Sequence, residues 1–342
     1  MSFIHPPGPP PANLLTLLRR RPPPGGRATL FTRLFQDYGD LVFMPFGRSG
    51  LYLVSDVALI QRVLETDHRR YSKGRGLDNA AVLLRQGLLT SEGALHERQR
   101  RLIQPAFHRE AMRGYLKTMS EASAACAGGW QEGQVIDMAE AMMHLTREIV
   151  ARCLFSHRVG QDADSAIDRD LATLVQTFAA PGAFIAPVWM VEHGLLPGTW
   201  GAPAARRRMD ATIRGLIRSR RAVSADDAEG AMGRETWRGS LPQGAGRAGQ
   251  GDLLDLLLAA RDEDGAPMSE DQVRDEVMTL FLAGHETTAN ALTWAWYLLS
   301  EHPEVDETLG RELDQVLEGR DPTEADLPQL PYTRAVLAEA MR

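Results

Sequence analysis

The sequence predicts a mainly α-helical protein with one small β-sheet. Three observations carry that expectation. Apolar residues recur at helical spacing through most of the 342 residues. One stretch has β character: LVFMPFG and LYLVSD, joined by Gly47-Arg48-Ser49-Gly50, whose glycines supply a hairpin turn. The run from Val277 to Leu299 is apolar around most of a helical circumference, as in a helix crossing the middle of a large domain.

The N-terminal MSFIHPPGPPPANLLTLLRRRPPPGG has prolines where a signal peptide needs its apolar centre, and no run long enough to span a bilayer. Its proline clusters suit an extended surface strap. Thr32 to Asp40 reads as a short helix and precedes the hairpin. Asp56 to Thr66 returns to helical spacing, with apolar Val57, Ile60, Val63 and Leu64. Glu97 to Ser120 is basic and helical, with a break expected near Pro105. Val135 to Phe155 and Asp168 to Ala179 are amphipathic helices. Ala180 to Pro203, with Phe184, Trp189, Met190 and Trp200, is Pro/Gly-rich and apolar, fit for a lid over an apolar pocket. Ala204 to Ala222 is a basic helix. Residues 224–251 are polar and Gly-rich and are expected to form a flexible loop. Asp252 to Arg261 is a helix. Ser269, followed by Glu270, Asp271 and Gln272, is the N-terminal signature of the long helix. Pro331 fits the first turn of a last helix, PYTRAVLAEAMR. No internal repeat is present, and residues 1–342 are expected to form a single domain.

Composition narrows the function classes. A net charge of −7 without a long basic tract argues against nucleic acid or an anionic membrane as the main partner. Two cysteines, Cys126 and Cys153, cannot build a disulfide framework or a CxxC zinc site. Together with the absence of a membrane anchor, this suits a reducing, cytoplasmic setting.

The chemistry concentrates where polarity interrupts the long apolar helix: LFLAGHETTANAL, with His285, Glu286, Thr287 and Thr288. Gly284 costs about 1 kcal/mol of helix stability against Ala. It leaves room where something flat could approach the backbone. The Thr287 hydroxyl can bond back to the Ala283 carbonyl, or to a water or ligand inserted there, and bend the helix. With Glu286 beside it, the pair reads as a proton-delivery device on a buried, distorted helix. The plainer alternative is that both threonines bond back to the helix and Glu286 faces solvent. A zinc HExxH site fails because Ala289 stands where the second histidine is needed. A di-iron bundle fails because Glu65-x-x-His68 is the one ExxH found.

Ala283-Gly284-His285-Glu286-Thr287-Thr288 resembles the oxygen-activation motif of the cytochrome P-450 family, [AG]Gx[DE]T[TS]. Three further stretches match that family in order. RRYSKGRG resembles the segment before its substrate-contacting loop. GALHERQRRLIQPAF resembles its propionate-binding helix. LPQLPYTRAVLAEAMR resembles the entry to its ExxR helix, with Glu339 and Arg342. The resemblance implies a P-450 fold that binds haem b and inserts one oxygen atom of O₂ into a hydrophobic organic substrate. His96 and Arg100, four apart on one helix face, would grip a haem propionate, with Lys73 on the other. Ala283, Gly284 and Thr288 would border the haem. Thr287 would steady the activated oxygen and Glu286 would relay protons. Glu339 and Arg342 would form a structural ion pair. Substrate contacts would come from Gly74 to Leu89, Ala179 to Pro203 and the start of the long helix.

Arg98, Arg101, Arg109 and Arg113 surround the propionate helix on an acidic protein. They read as a docking patch for an acidic ferredoxin or flavodoxin, or else as a solvated face. The family's axial cysteine lies in an FxxGxxxCxG loop beyond the ExxR helix. Cys126 precedes the long helix and has Met119 and Ala122 where that loop needs Phe and Gly, and Cys153 sits in an apolar helical stretch. No metal ligand is therefore assigned within the chain, and the axial cysteine is expected beyond Arg342, leaving the fold incomplete at its C-terminus. These 342 residues alone are expected to be inactive, since the thiolate drives O–O cleavage. The alternative is a non-catalytic helical protein that binds haem or a lipid-like ligand and has lost that loop.

Overall fold

The structure, a computed structural model, describes residues 5–10, 26–46, 49–155, 169–170, 173–174, 176–177, 188–230 and 252–342. The chain divides into two compact units: residues 1–79 with 173–203, and residues 80–172 with 204–342.

The first unit holds helix α1 (Gly26–Tyr38) and an antiparallel hairpin of β1 (Leu41–Phe46) and β2 (Ser49–Val54), in register from Leu41↔Val54 to Phe46↔Ser49. β2 already begins at Ser49, so the connection is tighter than the four residues expected. Val42 and Met44 alternate inward and are buried, as is Leu34 of α1. On the other face Phe43 holds residues 5–10. Its N–H donates to the Pro7 carbonyl (3.0 Å), and the His5 ring stacks on its ring at 3.9 Å. Gly8 is required there, because a Cβ would lie 1.9 Å from the Phe43 oxygen. The strap is thus real over residues 5–10.

Helix α2 (Val57–Gln61), capped by Asp56 accepting from the Leu59 N–H (2.7 Å), continues as a π turn over Arg62–Thr66. Its apolar spacing does not mark a buried face. Val57 is 78% exposed and Leu64 69%. Helix α3 (Arg75–Leu84) runs from the first unit into the second.

The second unit carries α4 (Gly93–Ile103), a 3₁₀ turn over Gln104–Phe107, and α5 (Arg109–Gly128). Pro105 lacks the N–H that would continue α4, so the break falls where expected. Then come α6 (Met138–Phe155), the short α7 (Val188–Glu192) of the first unit, and α8 (Ala202–Gly230). α8 overturns the expected start of the flexible loop: residues 224–230 are helical, and 231–251 lie outside the described residues. Half of the Asp168–Ala179 stretch and the front of the Ala180–Pro203 stretch also lie outside them, and the described half of the former is helical as expected. Helix α9 (Leu253–Ala259) starts in a reciprocal Asp252/Asp255 capping box.

α10 (Glu270–Glu301) is the 32-residue spine of this unit. Ser269 caps it as expected. Its Oγ accepts from the Gln272 N–H (3.1 Å), and the Gln272 side chain accepts from the Ser269 N–H (3.1 Å). Its main neighbour is α6, through a core of Met142, Leu145, Ala289 and Ala122 of α5. Two helices follow, α11 (Pro303–Leu317) and α12 (Pro331–Ala340). α11 stops at Glu318 and Gly319, both with positive φ. Glu312 of α11 accepts from the Tyr332 N–H (2.7 Å), the Thr333 N–H (2.8 Å) and the Thr333 hydroxyl (2.7 Å), and so caps α12. Those donors hold the Glu312 carboxyl below its usual range against the opposing effect of burial.

Candidate functional site

The middle of α10 is sorted by its rotation. His285 faces α6: its Nε2 lies 3.1 Å from the Met143 carbonyl, and the Thr146 hydroxyl donates to its own carbonyl (3.2 Å). A carbonyl can only accept, so Nε2 carries a proton. Gly284 faces α6 as well. A Cβ there would lie 2.9 Å from Val150 Cγ2, so the glycine serves close helix packing and does not clear the opposite face as expected.

Two residues along a helix turn it by about 200°, so Ala283 and Thr287 point away from α6. Both are exposed, and Thr288, Asn290, Trp294 and Tyr297 extend the same open side. Glu286, half-buried, flanks it. The Thr287 hydroxyl donates to the Ala283 carbonyl at 2.6 Å. α10 runs unbroken from Glu270 to Glu301, and that hydroxyl adds to the helix's own hydrogen bonds. The expected burial is absent, because the Ala283–Thr287 side is the exposed one.

The cation pair on α4 is positioned from α10. The His96 Nδ1 donates to the Leu88 carbonyl (3.0 Å), and the Leu88 N–H donates to Oε2 of fully buried Glu276 (2.9 Å). The Gln86 N–H donates to Asp275 (3.1 Å), and buried Gln99 joins Ser91 to the Gln86 carbonyl. Residues 85–91 are therefore pinned to the long helix, and His96 is pinned to them. Arg100, one turn further, is exposed and makes no side-chain hydrogen bond or ion pair among the described residues. Lys73 is half-buried in the first unit. Glu276 escaped the sequence reading, since nothing local signals a bond between residues 188 apart.

The four arginines of the expected docking patch are all engaged. Arg98 pairs with Asp262 (2.7 Å) and Arg101 with Glu263 (3.4 Å), while Arg109 (2.7 Å) and Arg113 share Glu324. Glu339 and Arg342 do pair (3.1 Å), but on the surface, with both side chains more than half exposed.

Haem b is implied by the motif resemblance, and the donors present fit its carboxylates. Arg100 is an uncommitted guanidinium one turn from an imidazole, on one helix face. Neither cysteine fits an axial position. Cys126 lies within α5 and Cys153 within α6, both ahead of α10, and burial raises both thiols, that of Cys153 to about 11. Among the described residues no three His, Cys, Asp or Glu side chains gather to hold a metal ion, and no helix is long and apolar enough to cross a membrane.

Comparison with known proteins gives a consistent result. The cytochrome P-450 family model matches residues 6–342. Cyclooctatin synthase of Streptomyces melanosporofaciens is 36% identical over 310 residues, which are 89% of this chain and 61% of that protein. Cyclooctat-9-en-7-ol 5-monooxygenase of the same organism is 34% identical over 309 residues, again 89% and 61%. Pentalenene oxygenase of Streptomyces avermitilis is 31% identical over 309 residues, 89% and 62%. The chain thus spans less than two thirds of the length of these relatives. The crystal structure of the cytochrome P-450DA haem domain superposes with a TM-score of 0.77 at 26% identity, covering 99% of this chain and 70% of that one.

Proposed function

Because this chain belongs to the cytochrome P-450 family, we propose that the whole protein is a haem-dependent monooxygenase that inserts one oxygen atom of O₂ into a hydrophobic organic substrate. The observation that carries this reading is the open Ala283–Thr287 side of α10, flanked by Glu286, on a helix whose opposite side is locked to α6. Haem b, when bound, supplies the iron at which dioxygen is activated. The rest falls to this chain's own residues. Arg100 and His96 would hold the haem carboxylates by charge-assisted hydrogen bonds. Ala283, with its small side chain, lets a flat group approach the backbone. The Thr287 hydroxyl, parked on the Ala283 carbonyl at 2.6 Å, can rotate to donate a proton outward, and Glu286 exchanges protons with solvent. The electron donor is a ferredoxin- or flavodoxin-type protein. Two relatives, pentalenene oxygenase and cyclooctat-9-en-7-ol 5-monooxygenase, point to a cyclic alkene or its alcohol as the substrate class.

The test is Thr287→Ala against Thr287→Ser in the whole protein, with O₂ consumption and hydroxylated product measured together. Removing the hydroxyl should lower product per O₂ consumed by about tenfold or more, with peroxide released instead, while serine keeps most of the yield. Equal yields in both variants would remove Thr287 from the reaction. A Soret band without any O₂ consumption would favour a binding-only protein.

A further inference from the structure

The loop between α11 and α12 is tied to α5 by charge. Glu324 reaches across to Arg109 (2.7 Å) and Arg113, which lie one turn apart. Lys117 continues the same stripe one turn on, and Glu121, 3.9 Å from it, also pairs with Arg152 at 2.6 Å. Glu110 lies beside Arg113. Both arginine side chains are more than 60% exposed although their guanidiniums are engaged, and Glu324 is 28% exposed. One carboxylate thus answers two outward-facing cations, whereas Arg98 and Arg101 each have an acid of their own.

The front of the loop, residues 321–325, is otherwise lightly seated. It holds its own shape, with Asp326 gripped by Arg320 (2.6 and 2.7 Å) and accepting from Thr323. Asp321 and Pro322, however, only line one side of an open groove of about 370 Å³, whose other side is Leu116, Met119, Ser123 and Ala127 of α5. An unfilled groove gives little dispersion to hold the loop down, and an exposed, salt-screened ion pair adds little more.

We propose that Glu324 is an internal stand-in for the carboxylate of an acidic protein partner, which docks on Arg109 and Arg113 by displacing it. The inference rests on the reading that an acidic electron donor binds this chain, and it adds that the docking face is self-occupied at rest. Arg113 first and Arg109 second hold the Glu324 carboxyl below its usual range, so it stays charged and competes throughout neutral pH. Displacement exchanges one carboxylate for another at the same guanidiniums, and it loosens the segment from Asp321 to Asp326.

The experiment uses the whole protein, a plant-type [2Fe–2S] ferredoxin as acidic probe and a cytochrome c as basic control, with Kd measured at low and high ionic strength. Glu324→Gln removes the competitor and should bind ferredoxin roughly two- to fivefold more tightly at low salt, with the gain fading at high salt and none toward cytochrome c. Arg109→Gln with Arg113→Gln should weaken ferredoxin binding several-fold. If the arginine variant weakens binding but Glu324→Gln leaves it unchanged or lowers it, the competitor role is overturned and the docking face stands. If the arginine variant binds as wild type does, docking on this face is overturned and the proposal with it. A second readout needs no variant: amide hydrogen exchange over residues 321–326 should rise when ferredoxin is added, and protection there would also overturn displacement.

Discussion

The two halves of α10 reverse what hydrophobicity alone would assign them. The first half buries three consecutive charged residues, Arg274, Asp275 and Glu276, and the second exposes Trp294 (59%) and Tyr297 (52%). Burial of the charges is tolerable because each has partners. Arg274 donates to the Leu83 carbonyl (2.9 Å) and to Asp275 (3.0 Å) and pairs with Asp210, which Arg85 also holds at 2.7 Å. Asp275 and Glu276 accept backbone N–H groups from residues 86 and 88. The first half is thus an anchor for the 85–91 segment and, through it, for His96. The second half keeps one face against α6 and leaves the other open. A single helix therefore supplies both a rigid support and an accessible reaction face, as a preorganised site requires.

That contrast can be broken at its strongest point first. Arg274→Met removes the cation while leaving Asp275 buried and Asp210 half-paired. The loss should be about 3–5 kcal/mol in urea unfolding, and a loss under about 1 kcal/mol would mean that the buried network is not what anchors this half. Next in size is the α6 contact. Gly284→Ala gains about 1 kcal/mol of helix propensity, but its Cβ would meet Val150 Cγ2 at 2.9 Å, and overpacking of this kind costs about 1–3 kcal/mol. We expect a net loss. In a double-mutant cycle, Val150→Ala should recover about 1 kcal/mol by opening the space, and strict additivity would show that the two residues do not touch.

The smallest effect distinguishes two acids one turn apart at the start of α10. Arg214 holds the exposed Asp271 carboxyl below its usual range, chiefly by a side-chain hydrogen bond. A carboxylate depressed in the folded state adds stability above its unfolded value, near 4, and loses that contribution as the pH falls through the folded value. Asp271→Asn should therefore cost a few tenths to about 1 kcal/mol at neutral pH and almost nothing in strong acid. Burial pushes Asp275 the other way, above its usual range, so at that group the folded state gains relative to the unfolded as the pH falls through the carboxylate range. Guanidinium unfolding of the two single Asn variants at neutral and acid pH would sharpen the contrast, and equal pH slopes would erase it.

Features decided within a turn or two of chain were legible in the sequence. These include the Ser269–Gln272 cap, the break at Pro105, the hairpin and the hydroxyl bond from Thr287 to Ala283. α11 was legible in principle, with Pro303 at its first turn and Glu304 and Asp306 beside it, yet its apolar spacing is sparse enough to be overlooked. Partners far apart in sequence were not legible. Leu88 meets Glu276, and Arg109 and Arg113 meet Glu324, across stretches of the chain that no spacing rule connects. For the same reason the arginine patch read as open charge.

What the sequence determined by itself is the local chemistry of this protein: a long capped helix carrying an acid and a hydroxyl beside a small-residue step, and a cation pair one turn apart on another helix. Helical periodicity sets the angles between those side chains. It cannot set how the helix as a whole is rotated. That was decided by tertiary packing, where Val150 admits only Gly284 and the Met143 carbonyl takes His285. With those two residues turned inward, Ala283 and Thr287 had to face out.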